Sequence, residues 1–156
     1  MEKIQSFTID HNKLDRGVYV SRIDEKAGAA VTTFDIRMTL PNREPVMETG
    51  GIHALEHLGA TFLRNHEIWK NEIVYFGPMG CRTGFYLCVW GKRESTDLLP
   101  LLREMFVFCR DFTGEVPGAC ARDCGNYRDI NLAQAKSYAE RFCRVLENIT
   151  PAQLTY

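Results

Sequence analysis

The 156-residue chain has no long apolar run, no charge excess, no internal repeat, no low-complexity tract and no linker. Each absence removes a class of protein. Its apolar runs fall far short of the roughly 20 residues that a helix needs to cross a bilayer, so no membrane role is expected. A formal net charge of -1 offers no general attraction to nucleic acid or to an anionic lipid surface. The opening MEKIQSFTID carries no apolar secretory stretch, which makes a cytoplasmic location the expectation. Without a linker, residues 1–156 are expected to form one domain around one core. The 45% hydrophobic and 25% charged residues are ordinary for a soluble globular protein. In a reducing compartment, Cys81, Cys88, Cys109, Cys120, Cys124 and Cys143 read as thiols, ligands or nucleophiles rather than as disulfides.

Periodicity supplies the elements. Phe34, Ile36, Met38 and Leu40 alternate with Asp35, Arg37 and Thr39. This predicts a strand with one buried face, ended by Pro41 and Asn42. Gly50–His66 reads as a helix and Glu72–Phe76 as a short apolar strand. Thr83–Gly91 is aromatic, β-branched and apolar on both faces, as a central strand would be. Ser95–Phe112 looks helical, with Pro100 either in its first turn or at a kink. Leu132, Ala135, Ala139, Phe142 and Leu146 recur at helical steps, with Asn131 as the cap and Gln134 three residues on. The predicted fold is α+β, a mostly antiparallel sheet with helices packed on one face.

The stretch GIHALEH, Gly51–His57, places two histidines four residues apart. On a helix His53 and His57 then share a face, with Glu56 beside them. Two imidazoles so placed can ligate one divalent ion, and an unligated carboxylate can move protons. The same string is the inverzincin signature, and it also suits a plain pair of surface histidines. A catalytic metal usually has three protein ligands, so the third decides. A distant glutamate would indicate a metallohydrolase; a thiolate would indicate something else. In PMGCRTGFY, Gly80 and Gly84 flank Cys81 in a tight backbone, where a nearby cation would favour its thiolate. Its plain alternative is a buried structural thiol. Cys124, in ARDCGNY, reads as a ligand, a surface thiol or one of a pair with Cys120.

Taken together, GIHALEH, PMGCRTGFY and a Cys-Gly before the last helix resemble the LuxS family, the S-ribosylhomocysteine lyases. SFTIDH near the start and FDIRMTLPN in the early strand extend the resemblance over nearly the whole chain. It implies His53, His57 and Cys124 as ligands of a divalent metal, with Fe(2+) expected and Zn(2+) or Co(2+) able to bind. A mixed imidazole and thiolate set suits such ions better than magnesium or calcium. It implies Cys81 and Glu56 as the acid/base groups, and Ser6, Phe7, His11, Arg37 and Arg64 as substrate contacts. Without the resemblance, Arg37 and Arg64 would read as surface charges. The implied reaction moves a sugar carbonyl from the first carbon to the third and then eliminates homocysteine. The co-product would be 4,5-dihydroxy-2,3-pentanedione, the autoinducer-2 precursor of quorum sensing. The implied assembly is a homodimer with active sites at the interface.

Two departures stand out. The family usually carries Asp-Ile-Ser before Pro-Met-Gly-Cys, where this chain has Tyr75, Phe76 and Gly77. The family's Asp helps to hold the homocysteine end, and a tyrosine brings no negative charge there near neutral pH. Ala54 replaces a common Thr, at a position that is neither ligand nor base. The competing readings are a lyase for a related thioether, an inverzincin-like metallohydrolase, and a closed metal module that uses Cys120 as a fourth ligand.

Overall fold

The computed structural model describes residues 7–156. Strands β1 (Gly17–Lys26), β2 (Ala29–Arg37), β3 (Ile73–Pro78) and β4 (Gly84–Trp90) form one antiparallel sheet in the order β1-β2-β4-β3. Helix α1 (Thr49–Asn65) lies between β2 and β3 in the chain, and α2 (Ser95–Asp111) and α3 (Leu132–Glu147) follow β4. The domain is α+β, as expected.

Ala27 and Gly28 close β1 onto β2 as a two-residue turn, and both have positive φ (52° and 82°). That backbone twist matches the twist of paired strands. One sheet face carries Val18, Phe34, Ile36, Phe85, Leu87 and Val89, all fully buried. The helices supply Leu55, Leu58, Leu102, Phe106, Ala139 and Phe142 to the same core. Helix α3 packs against α1 and α2, and α1 also touches β3. β4 lies between β2 and β3, the central position its two-faced apolar pattern predicts.

Two expectations need correction. The early strand stops at Arg37 instead of reaching Leu40. Beyond it the backbone N–H groups of Met38 and Thr39 both donate to the Thr83 carbonyl, outside the regular ladder. The strand also has no solvent face at its end: Asp35 and Arg37 are 1% and 2% exposed. Its alternation separates an apolar face from a polar buried one. Finally, α2 begins at Ser95 as expected, and of the two places open to Pro100 the first turn is excluded, because the proline is its sixth residue. The Asp97 carboxylate accepts from the Glu94 backbone N–H at the helix start. The proline lacks the N–H that would reach the Thr96 carbonyl; both residues are exposed, so that carbonyl lies on the solvent side.

Candidate metal centre and the buried polar face

Helix α1 carries His53 and His57 on one face because they are separated by one turn. Its start is seated by Gly50 and Gly51. A Cβ at Gly50 would lie 2.4 Å from the Asp129 carbonyl, and one at Gly51 would lie 2.4 Å from Tyr138 Cε2. Only glycines let α1 approach α3 and the preceding turn this closely. That approach brings Cys124 to the histidines. Its Sγ lies 3.3 Å from His53 Nε2, and the ligand atoms of His53, His57 and Cys124 all fall within 4.8 Å of one another.

Each imidazole turns its other nitrogen toward an oxygen. His57 Nδ1 donates to the Pro117 carbonyl at 2.7 Å, which leaves Nε2 free to ligate. Gly118 permits this: its φ is +73°, and a Cβ there would press on the His57 ring at 3.3 Å. His53 Nδ1 faces Asp129 Oδ2 at 3.9 Å, and Thr49 donates to the other oxygen of that carboxylate. A hydrogen bond from the second ring nitrogen fixes the tautomer and direction of a ligand histidine, as the Pro117 carbonyl does for His57. The Asn126 backbone N–H donates to Cys124 Sγ at 3.5 Å. About 3.5 Å separates a thiolate sulfur from an imidazole nitrogen around one tetrahedral ion, so the donor set fits a borderline divalent metal.

Three protein ligands make up the group among the described residues. Cys120 is exposed and donates to Asp123 Oδ2. No glutamate joins the three ligand atoms among the described residues. The geometry thus supports neither a closed Cys120 site nor an inverzincin set. Glu56 is half-buried and has no side-chain hydrogen bond or ion pair among the described residues. It lies one turn from His53 with its carboxylate uncommitted.

Cys81 sits elsewhere. Its Sγ lies 3.0 Å from Thr83 Oγ1 and 3.8 Å from Arg37 Nη1. Arg37 also donates to Thr83 Oγ1 and pairs with Asp35. Burial works against the Arg37 charge, but Asp35 outweighs it through charge and hydrogen bonding, so the Arg37 pKa is raised. This cluster lies on the polar face of the sheet, opposite the helices. No hydrogen bond or ion pair among the described residues links it to the His53–His57–Cys124 group.

The other expected substrate contacts are dispersed. Phe7 is 69% exposed, and His11 Nδ1 lies 3.0 Å from the Ile9 carbonyl. Arg64 is exposed and donates to the Val74 carbonyl, tying the end of α1 to β3. Ser6 lies outside the described residues. Tyr75 is half-exposed, with its hydroxyl folded over Gly77: a Cβ at Gly77 would lie 2.0 Å from it. Tyr75 and Gly77 therefore form a matched pair, since any larger residue at 77 would displace the ring.

Sequence reasoning did not single out Asp35, Thr83, Pro117 or Asp129. Asp35 alternates with apolar residues and read as the solvent side of its strand. Pro117 and Asp129 reach the histidines only through tertiary packing, and no local spacing marks them.

A family model described as S-Ribosylhomocysteinase (LuxS) matches residues 4–152. The chain is 59% identical over 156 residues to the S-ribosylhomocysteine lyase of Clostridium acetobutylicum, covering 100% of this chain and 99% of that protein. It is 54% identical to the enzymes of the same name from Finegoldia magna and Desulfotalea psychrophila, again over 100% of this chain and 99% of each relative. With a match across this length, the chain belongs to the LuxS family.

Proposed function

We propose that this chain is a cytoplasmic, metal-dependent carbon–sulfur lyase that cleaves S-ribosylhomocysteine to homocysteine and 4,5-dihydroxy-2,3-pentanedione. The observation that carries the reading is the open set of His53, His57 and Cys124 in a chain so similar to lyases of that name. Fe(2+) is the expected ion, with Zn(2+) or Co(2+) as substitutes, and it supplies Lewis-acid polarisation of the sugar carbonyl.

The chemistry sets what the side chains must do. The thioether at the fifth carbon is not activated in the starting sugar. Moving the carbonyl to the third carbon makes the proton on the fourth carbon acidic. Its removal then sends the C–H electron pair into a new double bond and expels the homocysteine thiolate. Cys81 takes and returns protons in the earlier isomerisation, beside the positive charge of Arg37 at 3.8 Å. Glu56, uncommitted beside His53 and His57, serves the later transfers and the elimination. Ser6, Phe7, His11, Arg37 and Arg64 contact the substrate. The separation of Cys81 from the metal group within one chain supports a homodimer whose active sites draw on both copies. The diketone product feeds autoinducer-2 signalling. A second reading, a preference for a related thioether, is favoured by Tyr75, whose neutral ring occupies the place of the family's Asp.

The test uses anaerobically purified, iron-loaded protein and a thiol reagent. S-ribosylhomocysteine should release one thiol per molecule. Cys81→Ala and Glu56→Gln should each slow release by about 10²–10⁴-fold. Wild-type protein that binds the metal but releases no thiol refutes this substrate. Unchanged release by Cys81→Ala refutes the assigned acid/base roles.

A further inference from the structure

The polar face of the sheet holds contacts that this chemistry leaves unexplained. Asp35 and Arg37 are buried as an ion pair, an arrangement whose desolvation is costly unless every polar atom is met. Here Asp35 Oδ1 and Arg37 Nε have no partner among the described residues. An arginine and a carboxylate ordinarily relieve this by bidentate pairing, two nitrogens on two oxygens. The structure departs from that arrangement. Arg37 places one nitrogen, Nη2, on Asp35 Oδ2 and spends the other, Nη1, on Thr83 Oγ1 and toward Cys81 Sγ.

Tyr156 shares the oxygen that Arg37 uses. Its hydroxyl donates to the same Asp35 Oδ2 at 2.8 Å. The ring stacks on buried Tyr19, with centroids 4.8 Å apart and planes 6° from parallel. Tyr19 is in turn fixed by its hydroxyl on the Asp15 carbonyl at 3.1 Å. Half of Tyr156 is open to solvent, yet its hydroxyl is turned inward. Burial, followed by the Asp35 charge, pushes its phenol above the ordinary range, so it remains a donor.

We propose that Tyr156 is a positioning residue for the lyase reaction: its hydroxyl holds the Asp35 carboxylate so that Arg37 keeps Nη1 on Thr83 and Cys81. Without that donor, Oδ2 has a free lone pair beside the orphan Oδ1. The guanidinium then turns onto both oxygens and withdraws its charge from the thiol. The inference rests on the reading of Cys81 as a proton-transfer group, but its test does not depend on turnover.

The variant is Tyr156→Phe, which keeps the ring stack and removes only the hydroxyl. The readout is the rate at which iodoacetamide alkylates Cys81 at pH 7 in metal-loaded protein, followed by peptide mass spectrometry. Alkylation should slow about tenfold, the scale of one lost charge-assisted contact. With S-ribosylhomocysteine, kcat should fall by a similar factor and KM should change less than about twofold. The same change made in an Arg37→Lys background, which keeps the charge and loses the fork, should have no further effect on alkylation. Tyr156→Ala should slow alkylation equally and also lower the thermal midpoint, because Tyr19 loses its cover. An unchanged alkylation rate in Tyr156→Phe overturns the proposal, as does an equal loss in the Arg37→Lys background. A wild type that releases no homocysteine overturns the lyase reading, and the alkylation result still decides the role of Tyr156.

Discussion

Gly50→Ala is the sharpest test of how the fold assembles the ligand group. The new Cβ would meet the Asp129 backbone carbonyl at 2.4 Å and Asn131 Cβ at 3.1 Å, where real Cβ contacts below 3.0 Å are essentially absent. The carbonyl must retreat by roughly 0.6 Å or more. It cannot swing aside as a side chain would, and the segment is pinned by the Asn131 N–H on the Gly50 carbonyl. Overpacking of this kind costs about 1–3 kcal/mol, and alanine returns at most about 1 kcal/mol through helix propensity. With the full offset the expected net loss is up to about 2 kcal/mol, read by urea denaturation of the metal-free protein. Because Asp129 faces His53 Nδ1 and Cys124 lies just before it in the chain, the shift should also spread the ligands. Cobalt affinity, measured by competition with a chromophoric chelator, should fall about tenfold or more. Gly125→Ala is the matched control: it adjoins Cys124, but a Cβ there meets nothing within 4 Å, so stability should change by less than about 0.5 kcal/mol. Full stability and full cobalt affinity in Gly50→Ala would refute the close-approach argument.

Further predictions address the turn, the buried thiols and the ligand count. Ala27 occupies the left-handed region at φ 52°, so Ala27→Asn should stabilise by about 0.5–1 kcal/mol and raise the thermal midpoint; a lower midpoint contradicts the turn assignment. Burial, then Cys143, pushes the Cys109 thiol from 9.0 up to about 12. The folded state therefore holds its proton where the unfolded chain loses it. Stability is fully present below about pH 9 and is lost as pH rises toward 12. Urea midpoints at pH 8 and 10.5 should show this loss, and Cys109→Ala should make it shallower; an equal slope would refute the assignment. Cys120→Ser should retain the metal while Cys124→Ser loses at least about tenfold in affinity, and equal losses would restore a four-ligand site.

What the sequence disclosed followed from how far each signal reaches. The His53–His57 turn was legible because helix periodicity is local, and α1 and α3 fell within a residue or two of their expected limits. β1 was not marked out, because its register shifts between Val20 and Arg22 and only Gly17–Tyr19 are buried. Alternation in β2 correctly assigned Arg37 to the face opposite Phe34 and Ile36. It could not tell that this second face is also buried, since that depends on Tyr156, Thr83 and Cys81 arriving from distant segments. Cys124 shows the same limit at the ligand group. Its sequence context permitted three roles, and only the seating of α1 through Gly50 and Gly51 places its sulfur 3.3 Å from His53.

The central claim is metal-dependent release of homocysteine, and one measurement addresses it directly. The protein is stripped with a chelator under anaerobic conditions, reloaded with Fe(2+), and incubated with S-ribosylhomocysteine while homocysteine and the diketone are quantified by mass spectrometry. One homocysteine and one diketone should form per substrate consumed, with near-complete loss of both in the stripped protein and recovery on reloading. Equal release by the stripped protein, or no release by the reloaded one, would contradict that claim.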